Sequence, residues 1–166
     1  MATLQKITPC LWFDDQAEEA AKFYTGIFRN SKMGRVSRYG EAGKEIHRKK
    51  PGTAMMVEFV LDGQMFTALN GGPLFKFTEA ISFQVSCQDQ KEVDYFWAKL
   101  GEGGDPKAQQ CGWLKDRFGV SWQIVPVILV ELVGDPKSEK SQRAMAVMLQ
   151  MKKIEIAELQ RAYAGQ

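Results

Sequence analysis

Apolar positions along the chain change period several times, and the order of those changes repeats. Ile7–Phe13 is apolar enough for a buried strand. Asp14-Asp15 then make a helix start, and Ala20, Ala21, Phe23, Tyr24 and Ile27 fall at helical spacing, which predicts a helix over Ala17–Phe28. Ser31–Tyr39 alternates as a strand does, and a polar loop, Gly40–Gly52, follows. Thr53–Leu61 and Gln64–Asn70 read as two strands joined by Asp62-Gly63, a dipeptide that suits two-residue hairpin turns. Gly71-Gly72-Pro73 ends this half.

The second half runs through the same order. Ile81–Cys87 alternates as a strand, Asp89–Leu100 carries Val93, Phe96, Trp97 and Leu100 at helical spacing, and Gly101–Gly104 breaks the helix. Short strands lead to a hairpin over Gly112–Val125, in which Val120, Trp122 and Ile124 alternate and Gln123 faces the other way. The two helices share Asp-Gln-x-Glu at Asp15 and Asp89, and Asp62-Gly63 corresponds to Phe118-Gly119. This order predicts a duplicated βαβββ unit, with modules at about 4–73 and 79–126. Residues 127–166 then read as a helical extension of the same domain. It contains a short helix over Val127–Val133 closed by Gly134, a helix from a Ser138 cap to about Leu149 or Met151, and a last one over Ile154–Tyr163.

Length and composition narrow the picture. The 166 residues suit one ordinary domain, and 45% hydrophobic with 25% charged content is that of a globular protein. A net charge of +2 gives no reason to expect nucleic acid. Cys10, Cys87 and Cys111 are scattered, which suggests free thiols in a reducing compartment. The N-terminal MATLQKITP lacks the basic and apolar regions of a secretion signal, and the most apolar run, Ile124–Val133, is too short for a membrane span and contains Glu131. A cytoplasmic protein without membrane partners is the expectation.

Several residues could carry chemistry. Glu58 interrupts the apolar strand Met55–Leu61; turned inward it would be a desolvated carboxylate, and turned outward a solvated one, because strand faces alternate. The sole histidine, His47, lies in a charged loop with no catalytic partner nearby in sequence and reads as a loop residue. The basic run from Arg29 to Lys50 reads as a solvated edge and loop. Met145, Met148 and Met151 read as adaptable packing on the tail.

Four stretches together, ITPCLWFD (Ile7–Asp14), FTALNGGP (Phe66–Pro73), CGWLKDRFGVSWQIVP (Cys111–Pro126) and MLQMKKIEI (Met148–Ile156), resemble the vicinal oxygen chelate superfamily. The resemblance is closest to its PhnB-like branch, often labelled 3-demethylubiquinone-9 3-methyltransferase. It implies an α+β fold in which two βαβββ modules form a curved mixed sheet with a cleft, and it implies a homodimer. Metal-using members place His or Glu on four inward strand positions. Here these fall near Thr8 or Pro9, near Thr67 or Ala68, near Ala80 or Ser82, and on Gln123, none of which suits a catalytic divalent metal. The label finds no local support either, because the glycine run Gly101–Gly104 follows a helix instead of joining a strand to one.

The expected function is metal-independent, cofactor-free binding of a small molecule that stacks on Trp12, Trp113 and Trp122 and is oriented by Asn70 and Gln123. The alternative is a lyase, isomerase or transferase in the same cleft, with Glu58 as base.

Overall fold

The computed structural model describes residues 5–166, so the expected module start at about residue 4 lies outside the described residues. The chain divides into two compact units, with the boundary between Lys76 and Phe77.

In the first unit, strands β1 (Cys10–Phe13), β2 (Lys32–Arg38), β3 (Ala54–Leu61) and β4 (Gln64–Asn70) form one sheet in the order β1-β4-β3-β2. The first strand lies parallel to the last, Cys10 opposite Thr67, and the other neighbours are antiparallel. Helix α1 (Ala17–Ile27) covers one face. Its buried positions are mostly small, Ala17, Ala20 and Ala21, which lets the helix approach closely, while Tyr24 fills the space beneath. Tyr24 stacks on Phe59 at 6.4 Å between centroids, and Phe59 on Phe66 at 5.5 Å. Asp62 and Gly63 both have positive φ, 45° and 81°, as a type I′ turn requires, so the β3–β4 hairpin has the predicted geometry. The polar loop is not wholly irregular: a one-turn helix, α2 (Lys44–His47), sits in it between left-handed Gly43 and Arg48.

The predicted start of α1 is achieved differently. Neither Asp14 nor Asp15 caps the helix; Gln16 holds the cap position without a side-chain bond. The Ala17 N–H donates instead to Asn70 Oδ1 at 2.8 Å, from a residue 53 positions away. Long-range structure here supplies what a local cap usually does.

The second unit opens with β5 (Phe83–Cys87) and α3 (Gln90–Gly101), whose N-cap Asp89 accepts from the Glu92 N–H at 3.0 Å. Strands β6 (Trp113–Lys115) and β7 (Ser121–Pro126) complete a three-stranded sheet in the order β5-β7-β6, again with first and last strands parallel. The repeat is thus visible in the pairing, with one strand fewer than the βαβββ pattern among the described residues. Where a counterpart of β2 was expected, Asp105 caps a 3-10 turn at Pro106–Ala108, and only a single bridge, Gln110 to Trp113, touches the sheet. Pro106 lacks an N–H for a ladder, and Gly103 is left-handed, which explains why no strand forms.

The extension forms α4 (Leu129–Val133), α5 (Glu139–Met148) and α6 (Ile156–Ala164), closely as expected, with Ser138 capping α5. These helices enclose their own cluster of Leu132, Ala144, Met151, Ile154 and Leu159. The segment before α6 docks on the hairpin: Cys111 and Gly112 N–H groups donate to the Met151 and Lys152 carbonyls, each at 2.8 Å. Gly112 is left-handed, and a Cβ there would lie 2.9 Å from the Ile124 oxygen, so glycine is required at this crossing. Among the described residues no helix is long and apolar enough to cross a membrane.

Candidate functional site

Strand pairing sorts the candidate residues by face. In the first sheet, Leu11, Phe13, Val57, Phe59, Phe66 and Ala68 are buried, whereas Trp12, Met56, Glu58, Thr67 and Leu69 are half-buried on the opposite face. Cys10, Thr67 and Glu58 form one row across three strands of that face. The Glu58 carboxylate accepts from Arg35 Nη2 at 3.2 Å and remains 36% exposed. It therefore lies outward of the core, half-exposed beside a guanidinium. Gly34 permits this arrangement, because a Cβ there would sit 2.8 Å from the Glu58 carbonyl oxygen.

Trp12 and Asn70 are tied to the same end of the first unit. The Trp12 indole covers Gly71 so closely that a side chain there would overlap it, donates from Nε1 to the Gly72 carbonyl at 2.8 Å, and meets Phe75 edge-on at 4.9 Å. Asn70 is buried with both ends of its amide engaged, Oδ1 by Ala17 and Nδ2 by the Ala54 carbonyl at 3.0 Å. Its own carbonyl accepts from the Tyr39 hydroxyl at 2.6 Å. Both residues hold the NGGP turn in place. His47 likewise serves its loop: Nδ1 accepts from the Lys49 N–H at 3.0 Å, and the ring lies 4.5 Å from that of Tyr39.

In the second unit, Trp122, Ile124 and Leu114 face α3 and are buried. Trp122 Nε1 donates to Asp116 Oδ2 at 2.8 Å, and its ring packs on Phe83 at 5.4 Å. Asp116, itself 3% exposed, also accepts from the Phe118 and Val120 N–H groups through Oδ1 at 2.9 and 3.0 Å. Asp116 lies within the hairpin Gly112–Val125, and its Asp-x-x-Gly spacing is the sequence signal for this role.

The other face of this sheet carries Trp113, Lys115, Ser121, Gln123, Gln84 and Ser86. Gln123 stands between Trp113 and Gln84 in register, all on one row. Its Nε2 donates to Ser82 Oγ at 2.8 Å, and its Oε1 has no partner among the described residues. Of the expected ligand contacts, the structure thus brings Trp113 and Gln123 together on an accessible face, and engages Trp12, Asn70 and Trp122 with the protein's own groups.

Thr67, not Ala68, faces outward, the Pro9 carbonyl accepts from Thr67, and Ser82 is paired with Gln123. Hydroxyl, carbonyl and neutral amide oxygens do not supply the imidazole, thiolate or carboxylate ligands of a catalytic zinc or iron site. Among the described residues, no three of His, Cys, Asp and Glu stand together as a ligand set.

Two further features are accounted for by packing. Gly101–Gly104 closes α3, with the Gly104 N–H on the Gly101 carbonyl at 3.0 Å, and so forms no strand-to-helix nucleotide turn. A groove of about 380 Å³ between the N-termini of α3 and α6 is lined by Gln90, Ile128, Glu155 and Ile156 among others. Gln90 there bonds the Ile154 carbonyl and the Ile156 N–H, so it fastens the extension.

The family described as 3-demethylubiquinone-9 3-methyltransferase matches residues 5–125. The chain belongs to that family. A solved structure described as a putative 3-demethylubiquinone-9 3-methyltransferase, PhnB protein, from Bacillus cereus is 38% identical. Its match covers 74% of this chain and all of that one, with a TM-score of 0.63. A Staphylococcus aureus protein is 30% identical over 74% of this chain and 96% of its own, with a TM-score of 0.34. A Pseudomonas aeruginosa protein, 20% identical over 75% of this chain and 98% of its own, has a TM-score of 0.55 and shows the fold alone. No curated protein matches. The family match and the PhnB-type structure bear out the resemblance to the vicinal oxygen chelate superfamily and its PhnB-like branch. The family match stops at residue 125, so the helical extension lies beyond it.

Proposed function

We propose that this family member binds a small organic molecule, without a metal, on the half-exposed face of its second sheet. The observation that carries the reading is Gln123. Ser82 fixes the amide through Nε2, which leaves Oε1 as an oriented acceptor, and Trp113 lies beside it in register. A flat apolar body on the indole with a donor aimed at Oε1 is the usual composition of a small-molecule site. Saturable binding in a ligand-observed NMR screen of small aromatic and aliphatic metabolites tests this, with and without chelator. The expected result is binding that survives chelation and weakens at least tenfold in Gln123→Ala. Binding that requires added divalent metal would overturn it.

The row Cys10–Thr67–Glu58 favours a second reading, an acid–base enzyme of the lyase, isomerase or transferase class. Once a substrate is in hand, full turnover by Glu58→Gln would remove it. The family's descriptive name points to methyl transfer, for which the chain offers no glycine-rich strand-to-helix turn at Gly101–Gly104. The homodimer belongs to the same reading, and sedimentation showing only monomer at micromolar concentration would count against it.

A further inference from the structure

On the accessible face of the second sheet one residue does not share its neighbours' exposure. Gln84 and Ser86 are exposed, and Trp113, Lys115, Gln123 and Val125 are half-buried. Ser121 lies on that same face, opposite Lys115, yet is only 2% exposed. Its Oγ finds no hydrogen-bond partner among the described residues. A buried hydroxyl left unpaired is costly, so such a group calls for a reason.

The segment Phe77–Ser82 runs beside it. It touches the face at three points that bracket Ser121. The Glu79 carboxylate pairs with the Lys115 ammonium, directly across from Ser121. Ser82 Oγ accepts from Gln123, two residues beyond Ser121 along β7. The Phe77 ring lies 4.0 Å from where a Gly119 Cβ would stand, two residues before it. Between these points the segment is weakly held. Thr78, Glu79, Ala80 and Ile81 are all exposed, Ile81 to 77%, and the Glu79 side chain is 61% exposed. A solvent-exposed ion pair contributes little, so it can separate at small cost.

We propose that Phe77–Ser82 is a strap latched by Glu79 and Lys115, and that the Ser121 hydroxyl beneath it is a hydrogen-bonding point for an anionic small molecule that replaces Glu79 on Lys115. This rests on the binding reading above for what enters, and it adds the chemistry of the ligand. A carboxylate-sized anion would meet the Lys115 ammonium and accept from Ser121. A donor about 6.6 Å further along β7, one two-residue strand repeat, would reach Gln123 Oε1.

The test needs no natural ligand, so its failure and failure of the binding reading are separable. Ser121→Cys is placed in a Cys10→Ser, Cys111→Ser background. The remaining thiol, Cys87, is fully buried and pushed up to about 12 by that burial and by Glu92 and Asp89 nearby, so it stays silent. Labelling is followed with an anionic sulfonatoethyl and a cationic trimethylammonioethyl methanethiosulfonate. The expected result is slow labelling with Glu79 present, at least tenfold faster labelling in Glu79→Gln, and a several-fold preference for the anionic reagent once Lys115 is released. Equal rates with and without Glu79 overturn the strap; a preference for the cation overturns the anionic ligand. With Ser121 intact, backbone amide NMR relaxation of Glu79→Gln gives a second reading. Residues 78–82 should become more mobile on the ns timescale while β6 and β7 keep their order, and unchanged relaxation at 78–82 overturns the latch.

Discussion

Replacing Trp122 with Phe isolates one buried contact whose size follows from the structure. The indole N–H donates to the Asp116 carboxylate beside the Phe118 and Val120 N–H groups, and Trp122 and Asp116 are both 3% exposed. Phenylalanine keeps a ring against Phe83 but removes the donor from a buried carboxylate. A hydrogen bond to a charged group contributes about 1.5–3 kcal/mol, and the smaller ring adds a packing loss of about 1 kcal/mol. The expected destabilisation is about 2.5–4 kcal/mol, read as a shift in urea midpoint at unchanged slope. For a chain of this length that corresponds to a fall in Tm of about 5–16 °C. A double-mutant cycle with Asp116→Ala separates the bond from the packing, and a coupling energy above about 1 kcal/mol is expected. A coupling near zero, or a Tm loss below about 2 °C, would refute the assignment of Trp122 and Asp116 to the scaffold of the hairpin.

Asn70→Ala strips partners from two backbone groups on different elements and should cost about 2–6 kcal/mol by chemical denaturation. Asn70→Asp should not restore it, since a carboxylate cannot donate to the Ala54 carbonyl; a loss under about 1 kcal/mol would disprove the tie. Lys153 holds the Asp94 carboxyl below its usual range, with Gln90 assisting, and Asp94 in turn raises Lys153. A depressed carboxyl contributes above its unfolded value near pH 4 and is lost as pH falls through the folded one, while the raised ammonium contributes until pH climbs past about 10. Both groups are partly exposed, so Asp94→Asn should cost only a few tenths of a kcal/mol at pH 7, and the two proteins' urea midpoints should draw together as pH falls below about 4. In native protein at pH 8, an aromatic disulfide reagent should react with exposed Cys10 and leave Cys87 untouched until denaturant is added.

Much of the fold was legible in the chain because each element announces itself locally. Asp62-Gly63 dictates a left-handed turn, Asp89 and Ser138 cap their helices, and alternation in Gln64–Asn70 marks a strand with one buried face. What stayed hidden depends on partners distant in sequence. Asn70 looks like a polar strand end until Ala17 and Ala54 are seen against it, and Trp122 looks like a platform until Asp116 takes its N–H. Period-2 alternation separates the two faces of a strand but does not say which is covered, so Glu58 and Gln123 could be paired with a face only through register. The missing fourth strand of the second sheet had a visible cause in Gly103-Gly104-Asp105-Pro106, which the repeat pattern outweighed. Ser121 had no signal at all: the burial of its unpartnered hydroxyl appears only in the folded structure.

In both units the opening strand lies parallel to the closing one, which sets the timing of folding during synthesis. Cys10 waits for Thr67, a span of 67 − 10 = 57 residues, and Phe83 for Trp122, a span of 122 − 83 = 39. By the logarithmic cost of loop closure the longer span costs only about 0.3 kcal/mol more, so the two sheets differ little in entropy. They differ in order of emergence from the ribosome. The β3–β4 hairpin can form while β1 is still unpaired, and β1 then adds to an existing edge. For β5 the corresponding edge belongs to β7, so the second sheet is complete only once synthesis has passed Pro126; α4, α5 and α6 all follow the strand that completes it.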